Sequence, residues 1–166
     1  ILAVIKFFSV TKLIKMWKLN LPEYTFRVKN KAGKPYIFDP FRKKMVALSP
    51  EEWVRQNFLR FLVDKKNFPE GYIACETQIE LNGLKKRCDA VVYNQQKQPI
   101  IIIEFKAPTV TLSQETFDQA ATYNSKLQVN YLIVSNGLQH IACKVDFENG
   151  KYIFAPEIPD FSVYIS

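Results

Sequence analysis

The sequence of 166 residues is poor in imidazole and thiol groups, which limits the sites it can form. Its one histidine, His140, argues against a metal centre of several histidines and against a Ser-His-Asp triad. We expect it to be an ordinary residue of a strand. The three cysteines, Cys75, Cys88 and Cys143, are odd in number and form no CxxC pair. We therefore expect reduced, buried thiols of a cytoplasmic protein, and neither a disulfide framework nor a zinc site.

A long uninterrupted apolar run is also missing. The amino end, ILAVIKFFSVTKLIKMWKLN, is apolar but interrupted by Lys6, Lys12 and Lys15, so it is too short and too charged to cross a bilayer. It shows no clear small-residue cleavage site. Two alternatives remain for this segment: a basic amphipathic helix, or a natural chain that begins at Met16. No function is assigned to residues 1–15.

What the sequence does have is apolar content and an uneven charge. Hydrophobic residues make up 48% and aromatic residues 14%, enough for one folded domain with a core. Residues 1–48 carry 11 Lys and Arg against 2 acids, whereas the rest carries 12 against 14. A basic extension and turn-rich arm (1–47) thus precedes the main domain (48–166). The arm suggests a polyanionic partner, although simple solubility explains its charge equally well.

The pattern of the chain predicts an α/β fold. Residues 49–66 are predicted to be a helix, with Ser49 as N-cap and Pro50 in the first position. A second helix is expected from Ser113 to about residue 127, and a hairpin is expected around Asp39-Pro40. Strands are predicted at 72–81, 85–94, 99–106, 129–137, 138–147 and 151–155, the first two joined by an Asn82-Gly83 turn. The order indicates a mixed central β-sheet flanked by helices.

Three charged residues interrupt the predicted central strands. Asp89 lies in one strand, and Glu104 and Lys106 end the next, where residues two apart share a face. A buried charge is unfavourable unless it is paired or binds a metal. Two carboxylates beside a lysine could bind Mg²⁺. The alternative is a structural ion pair at a strand end. Because D-x₁₄-ExK is a loose pattern, the spacing by itself favours the ion pair.

Four segments in this order resemble a known family. They are SPEEWVRQNFLRFLV (49–63), KKRCDAVVY (85–93), IIIIEFKAP (100–108) and TFDQAATYN (116–124). Together they resemble the PD-(D/E)xK nuclease superfamily, in particular the amino-terminal nuclease domain of type I restriction enzyme R subunits. The resemblance covers roughly residues 48–145 and implies a restriction-endonuclease-like fold. Cys88 stands where the superfamily name has proline.

The resemblance implies a Mg²⁺-dependent DNA endonuclease of low intrinsic specificity, in which Mn²⁺ can substitute. Asp89 and Glu104 would be metal ligands, and Lys106 the catalytic lysine. Glu52 resembles the acid that often completes such metal sites. Glu51 is the competing choice, and compensation of the helix dipole explains either acid.

The resemblance also suggests residues outside this set. Gln119 and Tyr123 match a QxxxY motif and share one helix face through their i, i+4 spacing. Without the family, an ordinary amphipathic helix surface is the better explanation of the pair. Lys85, Lys86 and Arg87 are candidates for contacts with the DNA backbone, and a solvated turn is the alternative.

No GxxxxGK[ST] phosphate-binding loop follows the predicted domain. The chain is therefore expected to be a free-standing domain of this type, a fragment, or a protein recruited by other restriction-modification subunits or a helicase. The rival hypothesis is a binding module for nucleic acid or protein that keeps the nuclease fold without cleavage. The target sequence, the choice between DNA and RNA, strand preference and oligomeric state do not follow from the sequence.

Overall fold

The structure, a computed structural model, describes residues 17–81 and 83–165, without the side chains of Leu81, Tyr123, Ser125 and Lys126. Both alternatives for the amino end, a helix or a start at Met16, lie outside the described residues. The described chain contains a three-stranded sheet, β1-β2-β3, and a six-stranded sheet in the order β4-β5-β6-β7-β8-β9. None of the described helices is long and apolar enough to cross a membrane.

The three-stranded sheet is formed by β1 (Val28–Lys31), β2 (Lys34–Asp39) and β3 (Lys44–Ala47). The predicted hairpin around Asp39-Pro40 is confirmed, with Phe38 opposite Met45 in an antiparallel pair. The first strand was not expected from the sequence. It is joined to β2 by a two-residue turn at Ala32-Gly33, where both residues have positive φ, as such tight turns require.

Helix α1 (Pro50–Lys65) begins as predicted, because the Ser49 side chain accepts a hydrogen bond of 3.1 Å from the N–H of Glu52. Pro50 occupies the first turn, where a missing N–H is tolerated. The buried face of α1 includes Val54 and Phe58, which pack on one side of the main sheet. The helix therefore holds its acidic first turn beside that sheet.

The six-stranded sheet consists of β4 (Ile73–Leu81), β5 (Leu84–Tyr93), β6 (Pro99–Phe105), β7 (Tyr131–Ser135), β8 (His140–Asp146) and β9 (Lys151–Ala155). Strands β6 and β7 are parallel, and the other neighbours are antiparallel. The mixed sheet is thus confirmed. The predicted turn between β4 and β5 includes Gly83 with φ of 75°, whereas Asn82 lies outside the described residues.

Helices cover both faces of the central strand. Ile101 and Ile103 join the core on the α1 side, and Ile102 joins the core under α2 (Gln114–Leu127). All three isoleucines have no exposed area, as expected for a strand buried on both faces. Helix α2 begins after Ser113, as predicted, with the Ser113 hydroxyl oxygen accepting from the N–H of Thr116. The core therefore explains the uninterrupted apolar run of β6.

A short helix, α3 (Phe161–Ile165), was not predicted. Five residues carry too weak a periodic signal, and long-range aromatic contacts define this turn instead. Phe161 lies 5.2 Å from Phe68, and Tyr164 lies 4.8 Å from Tyr131, measured between ring centres. Tertiary packing therefore decides the structure of this segment.

His140 begins β8, as expected of an ordinary strand residue, and Cys88 and Cys143 are buried as expected, whereas Cys75 is only partly buried. Burial lowers the pKa of His140, which contacts the Ser135 hydroxyl through Nδ1 at 2.8 Å. The three cysteines are free, and burial raises the pKa of each thiol to about 11. Neutral thiols of this kind are poor nucleophiles.

Candidate active site

Asp89 and Glu104 meet where β5 and β6 separate. Ala90 is paired with Ile103, so the next position on each strand places Asp89 beside Glu104. The N–H of Phe105 donates a 2.8 Å hydrogen bond to Asp89 Oδ2 and fixes this carboxylate against β6. Lys106 follows directly, and its own N–H bonds to the carbonyl oxygen of Ser135 at 2.9 Å. The structure thus brings these three predicted residues together.

The β4–β5 hairpin changes face at Asp89. Cys88 packs in the core under α2, whereas Ala90, two residues later, packs in the core under α1. In a regular strand these two residues would share a face. Glu76 has a left-handed backbone with φ of 50°. It lies opposite Asp89, between the strand pairs Cys75–Ala90 and Thr77–Cys88. This irregularity directs Asp89 to the end of the sheet and away from both cores.

The resulting cleft has a volume of about 320 Å³ and is rich in charge. It is lined by Ser49, Glu51, Glu52, Arg55, Glu76, Asp89, Glu104, Phe105 and Lys106. A larger hollow of about 490 Å³ lies around His140, but its only other titratable groups are Lys66 and Glu157. The cleft around Asp89 is therefore identified as the candidate site by its concentration of acids beside a lysine, and not by its size.

The two strand carboxylates have perturbed acidities. Burial raises the pKa of Asp89, and the negative charge of Glu76 adds to this effect, while the Phe105 N–H and Lys106 oppose it. Burial also raises the pKa of Glu104, and neighbouring Lys86 opposes the shift. Both acids thus hold a proton more readily than a free carboxyl group. A bound cation would reverse this preference by stabilising their ionised forms.

The direct ion partner of Glu104 is Lys86, and not Lys106. Lys86 Nζ contacts Glu104 Oε1, and both side chains are mostly buried. Among the described residues, Lys106 has no acid within 4 Å, although its charge lowers the pKa of Glu104 and Asp89. The structural ion pair weighed from the sequence therefore exists, but it uses a different lysine. Lys106 contributes a positive charge to the lining of the cleft.

Glu52 lies in the cleft wall, where basic groups already surround its carboxylate. Arg42 donates to Glu52 Oε2 at 3.1 Å, and Gln56 donates to Oε1 at 2.7 Å. Arg55 contacts both oxygens and also binds Asp39 at 2.8 Å. A metal ion at Glu52 would have to compete with two guanidinium groups. Glu51, the alternative acid, is exposed and lines the same cleft.

Other predicted residues lie apart from this cleft or are paired. Gln119 is exposed on α2 and is not part of the cleft lining, and the side chain of Tyr123 lies outside the described part of the chain. Lys85 pairs with Glu80 at 3.3 Å, and Arg87 pairs with Glu76 at 2.7 Å. All three basic residues before Asp89 therefore have acidic partners within the chain.

Two cleft residues, Arg55 and Glu76, were not predicted. The spacing of Arg55, three residues after Glu52 on a helix, is the signal that could have found it. Counting back from the predicted Asn82-Gly83 turn places Glu76 opposite Asp89, as observed. Helical spacing could therefore have found Arg55, whereas the sequence gives only the partner of Glu76 and not the change of face that brings it to the cleft.

The donor set fits a hard divalent cation. Asp89 and Glu104 offer carboxylate oxygens at one end of the sheet, and Mg²⁺ commonly binds one or two carboxylates while keeping several waters. Among the described residues there is no preformed group of three His, Cys, Asp or Glu side chains with metal-ligand geometry. Asp89 and Glu104 would hold the ion, and water or a substrate phosphate would complete its coordination.

Comparison with known proteins identifies the family of the chain. A family model described as "Type I restriction enzyme R protein N terminus (HSDR_N)" matches residues 50–159. The chain belongs to this family. The matched range includes α1, the strands β5 and β6 of the candidate site, and α2. The three-stranded sheet lies before this range in the chain.

A solved fragment supports the same fold. It is described as an HsdR subunit of a type I restriction enzyme from Vibrio vulnificus YJ016. The match has 18% sequence identity and a TM-score of 0.50, and it covers 72% of this chain and 25% of that chain. The chain thus spans about a quarter of the length of that relative. A comparison with curated proteins gives no match.

Proposed function

We propose that this chain hydrolyses DNA phosphodiester bonds in a Mg²⁺-dependent reaction, as an endonuclease of the type I restriction R-subunit kind. The observation that carries the proposal is the meeting of Asp89, Glu104 and Lys106 in one cleft of a chain from the R protein N terminus family. Such a set of two acids and a lysine is the core expected of a PD-(D/E)xK nuclease.

The two carboxylates have different positions in this mechanism. The Phe105 N–H holds Asp89 through Oδ2, so Oδ1 is available to a cation. Glu104 becomes available when Lys86 releases it. Bound Mg²⁺ would neutralise charge on the scissile phosphate and lower the pKa of a coordinated water. Mn²⁺ has the same preference for oxygen ligands and is expected to substitute.

Lys106 supplies a positive charge beside the two acids. Its ammonium group would orient the attacking water or stabilise charge that develops on the phosphate. The hydrogen bond from the Lys106 N–H to Ser135 fixes the backbone from which this side chain projects. Glu52 is proposed as the auxiliary acid, with Glu51 as its exposed alternative. Gln119 and Tyr123 are proposed to support the reaction from α2.

The partners of the chain are part of the proposal. DNA is the proposed substrate, and other restriction-modification subunits or a helicase would supply target recognition and translocation. The proposed location is the cytoplasm, where such a substrate is present. The chain itself is expected to have low sequence specificity.

Cleavage of plasmid DNA by the purified chain, with Mg²⁺ or Mn²⁺ and with EDTA, tests the proposal. We expect metal-dependent nicking by the wild type. Lys106→Met keeps the aliphatic stem and removes the charge, so it should reduce single-turnover cleavage by at least about 100-fold. Lys144→Met, at an exposed position on β8, is the matched control and should cleave normally. Undiminished cleavage by Lys106→Met would exclude this site.

A second candidate function is a binding module without cleavage. Its support is the internal pairing of the acids, since Lys86 neutralises Glu104 and two arginines surround Glu52. Metal titration by calorimetry separates the candidates. The nuclease requires divalent-ion binding that Asp89→Ala removes, whereas the binding module predicts DNA binding by the wild type with no cleavage in any metal.

A further inference from the structure

The three-stranded sheet has one apolar face and one basic face. Val28, Ile37 and Val46 are aligned across the three strands, and Ile37 is fully buried in a cluster with Trp53 of α1. The next aligned row, Lys29 with Tyr36 and Ala47, must therefore point away from α1. Within the part of the chain that the structure describes, the sheet packs against α1 through its apolar face.

The other face, here called the outer face, is defined by alternation along the same strands. Its residues are Arg27, Lys29, Lys31, Lys34, Tyr36, Phe38, Met45 and Ala47. The four cations are exposed, and Arg27 lies over the ring of Phe38 at 4.1 Å from its centre. The outer face contains no acid, because Asp39 is fully buried on the opposite side.

The charges of the outer face have no counter-charge within the described part of the chain. None of its four cations has a described acid within the 4.0 Å that defines an ion pair. Lys31 and Lys34 are directly opposite each other across the β1–β2 pair. Like charges in that position repel and destabilise a sheet. A polyanion on this face would remove the repulsion.

The three-stranded sheet is connected to the candidate active site at the end of β2. Asp39, at the end of β2, pairs with Arg55, and Arg42 in the following turn pairs with Glu52. Arg55 and Glu52 both line the cleft. A chain of ion pairs thus fixes the basic sheet relative to the cleft.

We propose that the outer face binds the sugar-phosphate backbone of duplex DNA. Exposed lysines without acidic neighbours suit phosphate, which is read by charge and not by sequence. The inference extends the proposed function, because the bound DNA is the substrate of the cleft. It concerns a different surface, however, and binding needs neither the metal nor the acids.

The salt dependence of binding tests this surface. We compare Lys29→Gln/Lys31→Gln/Lys34→Gln with a control, Lys65→Gln/Lys144→Gln/Lys151→Gln, which removes three exposed lysines elsewhere. Fluorescence anisotropy with a short duplex in EDTA reports binding without cleavage. The slope of log K against log salt should become shallower by about 2–3 in the first variant, at roughly 0.9 per lost phosphate contact. The control slope should change much less.

The melting temperature of the two variants provides an independent check. Removal of the Lys31–Lys34 repulsion should leave the first variant at least as stable as the wild type, so weaker binding cannot be attributed to unfolding. Equal slopes for the wild type and the first variant, or equal losses in both triple variants, would overturn the proposal. Loss of cleavage in Lys106→Met with an unchanged salt slope of DNA binding would show that the cleft and the outer face act separately.

Discussion

The two sheets use basic residues in opposite ways. On β5, beside the candidate cleft, Lys85, Lys86 and Arg87 all pair with acids of the same chain. On the three-stranded sheet, the lysines of the outer face have no described acid within ion-pair distance. The first group resembles a nucleic-acid clamp in the sequence, yet the second is better placed to meet phosphate.

This difference shows that a run of positive charge does not by itself identify a binding surface. A paired cation must give up its acid before it can bind phosphate, and the acid is then left without a partner. A cation without an acidic neighbour releases only water and counterions. The partner of each charge, and not the number of charges, therefore decides which surface is available.

The largest expected effect concerns the ion pairs that join the two regions. Arg55→Met removes the buried partner of Asp39 and Glu52, and breaking such a buried pair typically destabilises a protein by about 3–5 kcal/mol. We expect the melting temperature to fall by roughly 10 °C in calorimetry, given about 2–4 °C per kcal/mol for this size. Arg60→Met, exposed on the same helix, is the control. Equal melting temperatures for the two variants would show that the regions are held together by apolar packing alone.

A smaller effect is expected from the paired lysine of the cleft. Lys86 neutralises Glu104 in the absence of a metal, so Lys86→Met should strengthen Mg²⁺ or Mn²⁺ binding. The gain should be on the order of tenfold, the factor given by about 1.4 kcal/mol. Titration calorimetry measures it, with Lys85→Met on the exposed side of the same strand as control. Weaker metal binding by Lys86→Met would assign Lys86 to the metal site instead.

The smallest effect concerns the contribution of Asp89 to the stability of the folded chain. Because the folded chain raises the pKa of Asp89, it binds the proton more tightly than the unfolded chain. The free energy of unfolding therefore decreases as pH rises from the ordinary carboxyl pKa through the raised one. Asp89→Asn, which can still accept the Phe105 hydrogen bond, should be more stable at neutral pH in EDTA. A gain of roughly 2–4 °C, equivalent to about 1 kcal/mol, is expected.

The pH dependence distinguishes this gain in stability from a general effect of replacing an aspartate by an asparagine. The Asp89→Asn advantage should disappear at pH values below the ordinary carboxyl pKa. Asp146 provides the opposite case, because hydrogen bonds from Asn149 lower its pKa. Asp146→Asn should therefore lose stability at neutral pH and recover relative to the wild type in acid. The same pH trend in both variants would contradict the environment assigned to Asp89.

Local sequence signals were sufficient for most of the fold. Ser49 and Ser113 cap the helices that were predicted after them, and the apolar run at 100–103 became the central buried strand. Capping, periodicity and turn chemistry act over a few residues, so the sequence records them directly. Helix α3 was missed because rings distant in the chain stabilise it. The first strand was missed although its partner β2 follows after only a two-residue turn.

The sequence also determined which residues could form a site. Asp89, Glu104 and Lys106 are charged residues in or directly after apolar strands, and such positions require a partner or a chemical role. Their approach in space followed from adjacent strands. Glu52 lies in the cleft as expected, but the sequence could not show that Arg42, from a separate turn, would contact it.

Tertiary structure alone decided how the charges are distributed among partners. Lys106 is two residues from Glu104 in the sequence and Lys86 is eighteen residues away, yet the direct contact with Glu104 is made by Lys86. Glu76 reaches the cleft only because the β4–β5 hairpin changes face there. Ion pairing depends on distances of a few ångströms between residues far apart in the chain. These distances are set by packing of the whole sheet, and no local pattern of residues contains them.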